Sequence, residues 1–381
     1  MKFYRAWRNP DRCVKCGFCE LYISCPGLEA CTGCGACVEA CPYEALKLVS
    51  DEKPRGTIRV RIDGEAYEVP ERVTVLKALE LAGYRVSRLP GEGDVYAPCQ
   101  TGGCWACAVL VNGKLKPACI TPVRDGMEIK TDVSGLKPLR LVSGFQPHPV
   151  GGVGTPYWLK GHGGYVEVAC FAHGCILRCP TCQNWEVTYS SRGRPLTPKE
   201  AASRLLNMAS YYGVKRAAIS GGESTLNRRW LVEFVRELAR PGKVRVHVDT
   251  NAVILTRDYV DELVESGMTD IGPDVKGLKL ETFMRITGIR DVELAKKLHQ
   301  NMWNAVKYLL DEYFGEVFIG IGVPYNRAFM TLEELGEIGE KIASWEPTVQ
   351  VVLLDYRPEF RARDMEWPGY EEMLTAKRVL E

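Results

Sequence analysis

No apolar run in this chain approaches the roughly 18 residues that a membrane span requires, and the opening MKFYRAWRNPDRC lacks the charged-then-apolar order of a signal peptide. A cytoplasmic protein without a membrane partner is expected. Charge of one sign is missing too. Lys and Arg number 49 against 48 Asp and Glu, for a net charge of +1, so no whole-chain attraction to nucleic acid or to anionic lipid is indicated. Histidine is scarce, with 5 residues. His148, His162 and His173 lie in or near a loop-like stretch and stay unassigned, since single loop histidines more often cap a turn or meet solvent than bind metal. The 381 residues and 46% hydrophobic content are ample for two or three domains with cores of their own.

Cysteine is what the chain has in excess. Sixteen in a reducing compartment argue for metal rather than disulfides, and all but one fall into three spaced groups. The exception, Cys170 in VEVACF, reads as a small buried hydrophobe on a strand.

In the first group, CTGCGACVEACP places Cys31, Cys34, Cys37 and Cys41 before Pro42, which is bacterial-type ferredoxin spacing. Cys13, Cys16, Cys19 and Cys25 before Pro26 repeat it, with five residues where three are usual between the last two. Paired zinc sites would not need two such triplets each closed by Cys-Pro. In two-cluster ferredoxins the fourth cysteine of each run serves the other cluster. The resemblance therefore implies one 4Fe-4S cluster on Cys13, Cys16, Cys19 and Cys41 and another on Cys31, Cys34, Cys37 and Cys25.

The second group sits in a small α+β pattern. TIRVRIDGEAYEV alternates around an Asp63-Gly64 turn, TVLKALELAGY has helical spacing ended by Gly83, and CAVLVNGKLKPAC alternates around Asn112-Gly113. Cys99, Cys104, Cys107 and Cys119 have plant-type 2Fe-2S spacing, with Gly102 and Gly103 in a loop whose backbone must wrap a cluster closely. The stretch 56–132 resembles β-grasp 2Fe-2S domains of multi-cluster oxidoreductases.

Residues 135–164 are dense in glycine and proline and without period, as an ordered connector would be. Beyond them, six strand-like runs, YVEVACF, VKRAAIS, KVRVHVDT, TDIGPDV, EVFIGIGV and TVQVVLL, alternate with helical patterns, with Thr197 and Thr256 as N-caps and Gly267 closing a helix. Such a series demands a parallel sheet, open or curled toward a barrel, with ligands at the carboxyl ends of its strands.

Cys175, Cys179 and Cys182 follow the first of these strands as a trio with no fourth cysteine nearby. A cluster normally recruits four protein ligands, so one position stays open for chemistry. This C-x3-C-x2-C resembles the signature of radical SAM enzymes, in which three thiolates hold a 4Fe-4S cluster and S-adenosylmethionine chelates the fourth iron. Gly221, Gly222 and Glu223 in SGGES resemble the segment that receives the methionine ammonium. Asp249, Thr250 and Asn251 in HVDTNA, Asp274 and Lys276 in DVK, the CQN after Cys182 and VPYN at 323–326 resemble strand-end motifs of the glycyl-radical-enzyme activases typified by pyruvate formate-lyase activating enzyme. By that resemblance Lys276 meets the methionine carboxylate and Asp274 faces the ligand's polar end, pairings that suit charged donors and acceptors.

The expected architecture is thus a two-cluster ferredoxin at 1–52, a 2Fe-2S β-grasp at 53–134, a connector at 135–160 and a partial (βα)6 radical SAM barrel at 161–381. The expected cofactors are three 4Fe-4S clusters, one 2Fe-2S cluster and S-adenosylmethionine. The resemblance implies reductive cleavage to a 5′-deoxyadenosyl radical and hydrogen abstraction, with residues 1–132 as a wire from an electron donor. Only six βα units are visible and the text stops in a sixth helical pattern, so a macromolecular substrate is expected, a protein and by family resemblance a glycyl radical enzyme. The ferredoxin precedes the cysteine trio here, whereas many activases carry it afterwards. The alternatives are a small-molecule or RNA substrate, or an electron-transfer subunit with an inactive radical SAM fold.

Overall fold

The computed structural model describes residues 2–161 and 163–381, so His162 lies outside the described residues. The chain divides into two compact units. One holds the residues up to Leu141 together with Ala172–Ile176 and Asn184–Thr197, and the other holds Val142–Phe171, Leu177–Gln183 and Pro198–Glu381.

The smaller unit begins with an antiparallel pair, β1 (Tyr4–Arg8) and β2 (Leu46–Ser50), in register Tyr4 to Ser50. Between them lie two short helices, α1 (Phe18–Leu21) and α2 (Ala36–Ala40). Each is entered through a glycine in the left-handed region, Gly17 and Gly35, both at φ +77°. The matching Cys-Gly-x-Cys segments therefore fold alike, as their sequences suggested, because only glycine adopts that φ without strain. The next module is a five-stranded sheet in the order β4-β3-β9-β7-β8, from β3 (Thr57–Ile62), β4 (Glu65–Pro70), β7 (Ala108–Val111), β8 (Lys114–Pro117) and β9 (Met127–Lys130). A parallel two-residue pair, β5 (Val86–Ser87) and β6 (Val95–Tyr96), stands apart. Both hairpins turn where expected, with Asp63 and Gly64 at φ +49° and +94° and Asn112 and Gly113 at +48° and +75°. Helix α3 (Val75–Leu81) is capped by Thr74, which accepts from the Lys77 N–H. Helix α4 (Trp185–Tyr189) also belongs to this unit.

The larger unit is an α/β fold around a seven-stranded sheet in sequential order: β10 (Val142–His148), β11 (Glu167–Ala172), β12 (Arg216–Gly221), β13 (Arg245–Thr250), β14 (Asp270–Pro273), β15 (Phe318–Tyr325) and β16 (Gln350–Asp355). From β12 to β16 every pairing is parallel. The helices are α5 (Pro198–Tyr212), α6 (Arg228–Ala239), α7 (Arg257–Glu265), α8 (Leu280–Thr287), α9 (Val292–Tyr313), α10 (Leu332–Ala343) and α11 (Tyr370–Leu380). Gly267 follows α7 at φ +103°, as expected of a helix stop. Thr256 occupies the N-cap of α7, but its side chain makes no capping bond to the helix backbone.

The six strands read from sequence are all present, and the seventh corrects the reading of the connector. Residues 142–148 form β10, whose alternation was masked by Gly144 and Pro147. Residues 151–155 are a further departure from a simple linker. Gly154 presses on β13 and β14 so closely that a Cβ would stand 2.5 Å from the Ile271 carbonyl carbon and 2.6 Å from the His247 ring. The Val153 carbonyl abuts Gly320 of β15 and accepts from Gln350 Nε2 at 3.3 Å. Glycines at 272, 320 and 322 leave the room that this backbone fills.

Candidate functional site

In the first module the cysteines of the two half-motifs lie close to one another. Burial raises the Cys37 thiol above its ordinary range, and the neighbouring thiols acting on it are Cys34, Cys25 and Cys31 in that order, then Cys19. Cys25 thus lies with the second triplet. Cys19 in turn is raised by burial and by Glu20, Cys41 and Cys16, against the lowering effect of Arg8. Backbone N–H groups point at the sulfurs: Ala6 and Gly33 donate to Cys31 at 3.3 and 3.4 Å, Gly27 to Cys25 at 3.4 Å and Ala45 to Cys41 at 3.3 Å. Cys13 and Cys19 pack against the buried Cys31, Cys37 and Cys41, and Cys16 is exposed.

Cys99, Cys104, Cys107 and Cys119 are all buried. Cys104 and Cys99 have sulfurs 3.1 Å apart, and Cys119 bonds both Cys107 and Cys99. Their loop is bent by Gln100, Gly102 and Trp105 at φ +53°, +84° and +59°. Four converging thiols fit the ligand set of a 2Fe-2S centre.

The cysteine trio follows β11. Cys175 is buried, and Cys179 and Cys182 are half-buried. Burial pushes the Cys179 thiol up, opposed by the charge of Lys276 and by the neighbouring Tyr356, with Asp274 also near. Tyr356 was not singled out in the sequence. Its hydroxyl donates to the Ile286 carbonyl at 3.0 Å, and burial followed by Cys179 raises its pKa well above the ordinary value. The 180 loop is pinned from the C-terminal side, since Arg361 and Ala362 donate N–H bonds to the Pro180 carbonyl at 3.0 and 3.1 Å.

Lys276 and Asp274 lie near Cys179, and the other expected residues stand at the ends of β12 and β13. Lys276 Nζ lies 3.1 Å from Asp274 Oδ2. Burial raises Asp274 above the usual carboxylate range while Lys276 opposes it. Gly221 takes φ +106°, which favours glycine there. Glu223 is 1% exposed and is drawn inward as a strap between β12 and β13. It accepts from the Thr225 N–H and hydroxyl at 3.0 and 2.6 Å, the Thr250 hydroxyl at 2.6 Å and the Asn251 N–H at 2.8 Å. Asn251 Oδ1 accepts from the Val253 N–H at 3.2 Å. Asn326 of VPYN organises loops, donating to the Tyr356 and Glu366 carbonyls at 3.0 and 2.9 Å.

Beneath Asp249 lies a buried charged row that sequence reading missed. His247 Nε2 is 2.9 Å from Asp249 Oδ1, and its Nδ1 is 3.2 Å from Glu167 Oε2. Arg216 reaches Glu167 at 3.7 Å and Asp270 at 3.0 Å. Glu167 also accepts from the Gly152 N–H and the Thr155 hydroxyl, both at 3.1 Å. Burial alone would lower the His247 pKa, but Asp249 and Glu167 outweigh it and push it up to about 10. The imidazolium in turn holds Asp249 below its ordinary value against the effect of burial. The signal was available in VEVACF and VRVHVDT, where a Glu and a His interrupt runs that a buried strand should keep apolar. Of the unassigned histidines, His173 is buried with Nδ1 2.9 Å from the Ser190 carbonyl, and burial lowers its pKa. Cys170 is fully buried in β11.

Residues 170–336 match the radical SAM superfamily, residues 55–134 the 2Fe-2S iron-sulfur cluster binding domain and residues 28–47 the 4Fe-4S binding domain. The chain thus combines a stretch matching the radical SAM superfamily with preceding stretches that match 2Fe-2S and 4Fe-4S binding domains. It is 34% identical over 131 residues to PqqA peptide cyclase of Bradyrhizobium diazoefficiens, covering 34% of this chain and 33% of that protein. It is 29% identical over 135 residues to a probable GTP 3′,8-cyclase of Thermococcus kodakarensis, covering 35% and 41%. The chain thus spans about a third to two-fifths of the length of these curated relatives. Among solved structures it resembles Streptococcus suis SuiB bound to S-adenosylmethionine, with a TM-score of 0.42 and 18% identity over 54% of this chain and 44% of that one. The two curated relatives are named as cyclases, so the likeness to glycyl-radical activases rests on the motifs quoted above. Among the described residues, no helix is long and apolar enough to cross a membrane.

Proposed function

We propose that the chain cleaves S-adenosylmethionine reductively and uses the resulting radical to abstract a hydrogen atom from a peptide or protein. The observation that carries the chemistry is the charged pair Lys276–Asp274 beside Cys179 at the ends of parallel strands, where such folds bind ligands. Cys175, Cys179 and Cys182 would hold a 4Fe-4S cluster with one position left for the substrate. With S-adenosylmethionine bound, that cluster supplies one-electron scission of the sulfonium C–S bond to methionine and a 5′-deoxyadenosyl radical. Lys276 would pair with the methionine carboxylate, and Asp274, Asp249 and the Gly221-Gly222 backbone would face the ligand's polar groups. Glu223 serves chiefly to fix Thr250 and Asn251, and its influence on the ammonium is then one of charge and position. Cys13, Cys16, Cys19 and Cys41, Cys31, Cys34, Cys37 and Cys25, and Cys99, Cys104, Cys107 and Cys119 would hold two further 4Fe-4S clusters and one 2Fe-2S cluster. Those modules would pass electrons from a low-potential donor.

A peptide or protein substrate is favoured by the activase-like motifs HVDTNA, DVK and VPYN and by the name of the PqqA peptide cyclase relative. The GTP 3′,8-cyclase relatives support a second reading, a nucleotide substrate. Anaerobic reduction of the loaded enzyme with S-adenosylmethionine should release 5′-deoxyadenosine, and absence of that product would rule out the enzyme reading. Adding peptides, a glycyl radical enzyme or GTP then separates the substrates. A radical or mass change on the polypeptide supports the first reading, and consumption of GTP in step with deoxyadenosine supports the second.

A further inference from the structure

The turn that carries Cys175 folds against the loop that carries Cys99 and Cys104, inside the smaller unit. Gly174 stands at φ +83°, and a Cβ there would lie 2.7 Å from the Cys104 nitrogen, 3.0 Å from the Cys104 Cβ and 3.2 Å from the Cys99 Cβ. The contact is reciprocal, because a Cβ on Gly103 would lie 2.7 Å from the Gly174 nitrogen and 2.8 Å from the His173 Cβ. Backbone therefore closely approaches backbone one residue before Cys175.

Arg88 clamps this junction. Its guanidinium donates to the Pro98 carbonyl at 3.3 Å and to the Ile176 carbonyl at 2.5 Å. One bond thus lands beside Cys99 and the other beside Cys175. From the opposite side Gly174 donates to the Thr188 carbonyl at 3.0 Å, and Arg140 donates to the His173 carbonyl at 3.2 Å. The 4Fe-4S module approaches the 2Fe-2S module elsewhere, where Cys34 and Cys119 line one cavity of about 230 Å3. Its contacts with the chain after the trio include the Phe18–Trp185 ring pair at 4.8 Å, three residues beyond Cys182, and N–H bonds from Ser191 and Arg192 to the Tyr22 carbonyl at 2.9 and 3.1 Å.

We propose that the Gly103–Gly174 contact, clamped by Arg88, is the electronic junction through which the 2Fe-2S loop serves the Cys175 loop, with the two 4Fe-4S sites upstream by way of Cys34 and Cys119. This rests on the cluster reading above. One electron crosses: the 2Fe-2S centre is oxidised as the S-adenosylmethionine-binding cluster is reduced, and titanium(III) citrate is the one-electron reductant in the test. Gly103, Gly174 and Arg88 are positioning residues, and two glycines at one contact are what close approach of two ligand loops requires.

The test is electron paramagnetic resonance on the full, loaded chain reduced with titanium(III) citrate, reading the spin relaxation of the 2Fe-2S signal. In the parent protein that signal should relax faster than an isolated centre. The enhancement should be lost in Cys179→Ala, which removes the neighbouring cluster, and largely kept in Cys16→Ala, which removes a 4Fe-4S cluster. Arg88→Ala should weaken the enhancement at unchanged iron content, and Gly174→Ala, if it folds, should do so more strongly. Relaxation unchanged in Cys179→Ala but slowed in Cys16→Ala would overturn the junction while leaving the cluster reading intact. Absence of any 2Fe-2S signal, with iron unchanged in Cys179→Ala, would overturn both.

Discussion

The ferredoxin-like module and the parallel sheet both bury a core, yet they build it from opposite materials. In the first, Ala6, Cys31, Cys37, Cys41, Ala45 and Leu46 form the buried cluster, with Cys13 and Cys19 packed against it. In the second, Val168, Ala217, Ile219, Val246, Val248, Ile271, Ile319 and Ile321 are 3% exposed or less. Apolar strands contribute burial energy without help, whereas thiols held at cluster spacing contribute most when something bridges them. One core is expected to depend on iron and the other to stand without it.

The sharpest break of this comparison is iron removal. Chelation should abolish amide protection in β1 and β2 while β12 to β15 keep theirs, as read by hydrogen exchange; equal loss in both would erase the distinction. The loaded chain should carry about fourteen irons from three 4Fe-4S and one 2Fe-2S sites, and Cys41→Ala should lose the cluster of the first triplet rather than that of its own run. Iron and sulfide analysis near eight with zinc present would refute the count.

A smaller effect is expected at the strand ends. Lys276→Ala should weaken S-adenosylmethionine roughly ten- to hundredfold, the equivalent of about 1.5–3 kcal/mol for a charge-assisted bond, while the Cys179 cluster remains. Calorimetric titration checks it, and parent-like affinity would return Lys276 to a structural role beside Asp274. Glu223→Gln should destabilise the larger unit by about 1–3 kcal/mol, since an amide cannot accept all the bonds now converging on the carboxylate.

The buried row under Asp249 adds a pH dependence of its own. Because the folded His247 pKa is raised from 6.5 to about 10, its contribution to stability is fully present below the unfolded value and is lost as pH rises through about 10. His247→Gln should therefore flatten the alkaline fall of the denaturation midpoint across that window; an unchanged slope would show the imidazolium to be inert. The smallest effect belongs to the exposed pair Arg59–Glu68 at 3.3 Å, where Arg59→Ala should cost no more than about 0.5 kcal/mol.

Much of this was legible because cysteine spacing and strand patterning are local signals. The left-handed glycines in Cys16-Gly17 and Cys34-Gly35, the two hairpin turns and the six strands all follow from short windows of sequence. What stayed hidden depends on partners distant in the chain. Strand β10 was masked by Gly144 and Pro147, and residues 151–155 read as linker because the glycines at 272, 320 and 322 that receive them lie more than a hundred residues away. Glu223 resembled a ligand contact, and nothing near it announced that Thr250 and Asn251 would claim its oxygens. His247 was visible as an oddity in an apolar strand, but its meaning required Glu167 and Asp249 on either side.

The division of the chain into two units also bears on any attempt to transplant its parts. Ala172–Ile176 and Asn184–Thr197 fold with the residues up to Leu141, while Leu177–Gln183 stays with the larger unit. A gene cut at residue 141 would leave His173 and Tyr189, now 5% and 1% exposed, without the unit that covers them. Excision of a catalytic fragment should therefore give poor expression even though its sheet is intact. A usable fusion would have to retain the iron–sulfur modules together with the turn at Ala172–Ile176 that folds with them.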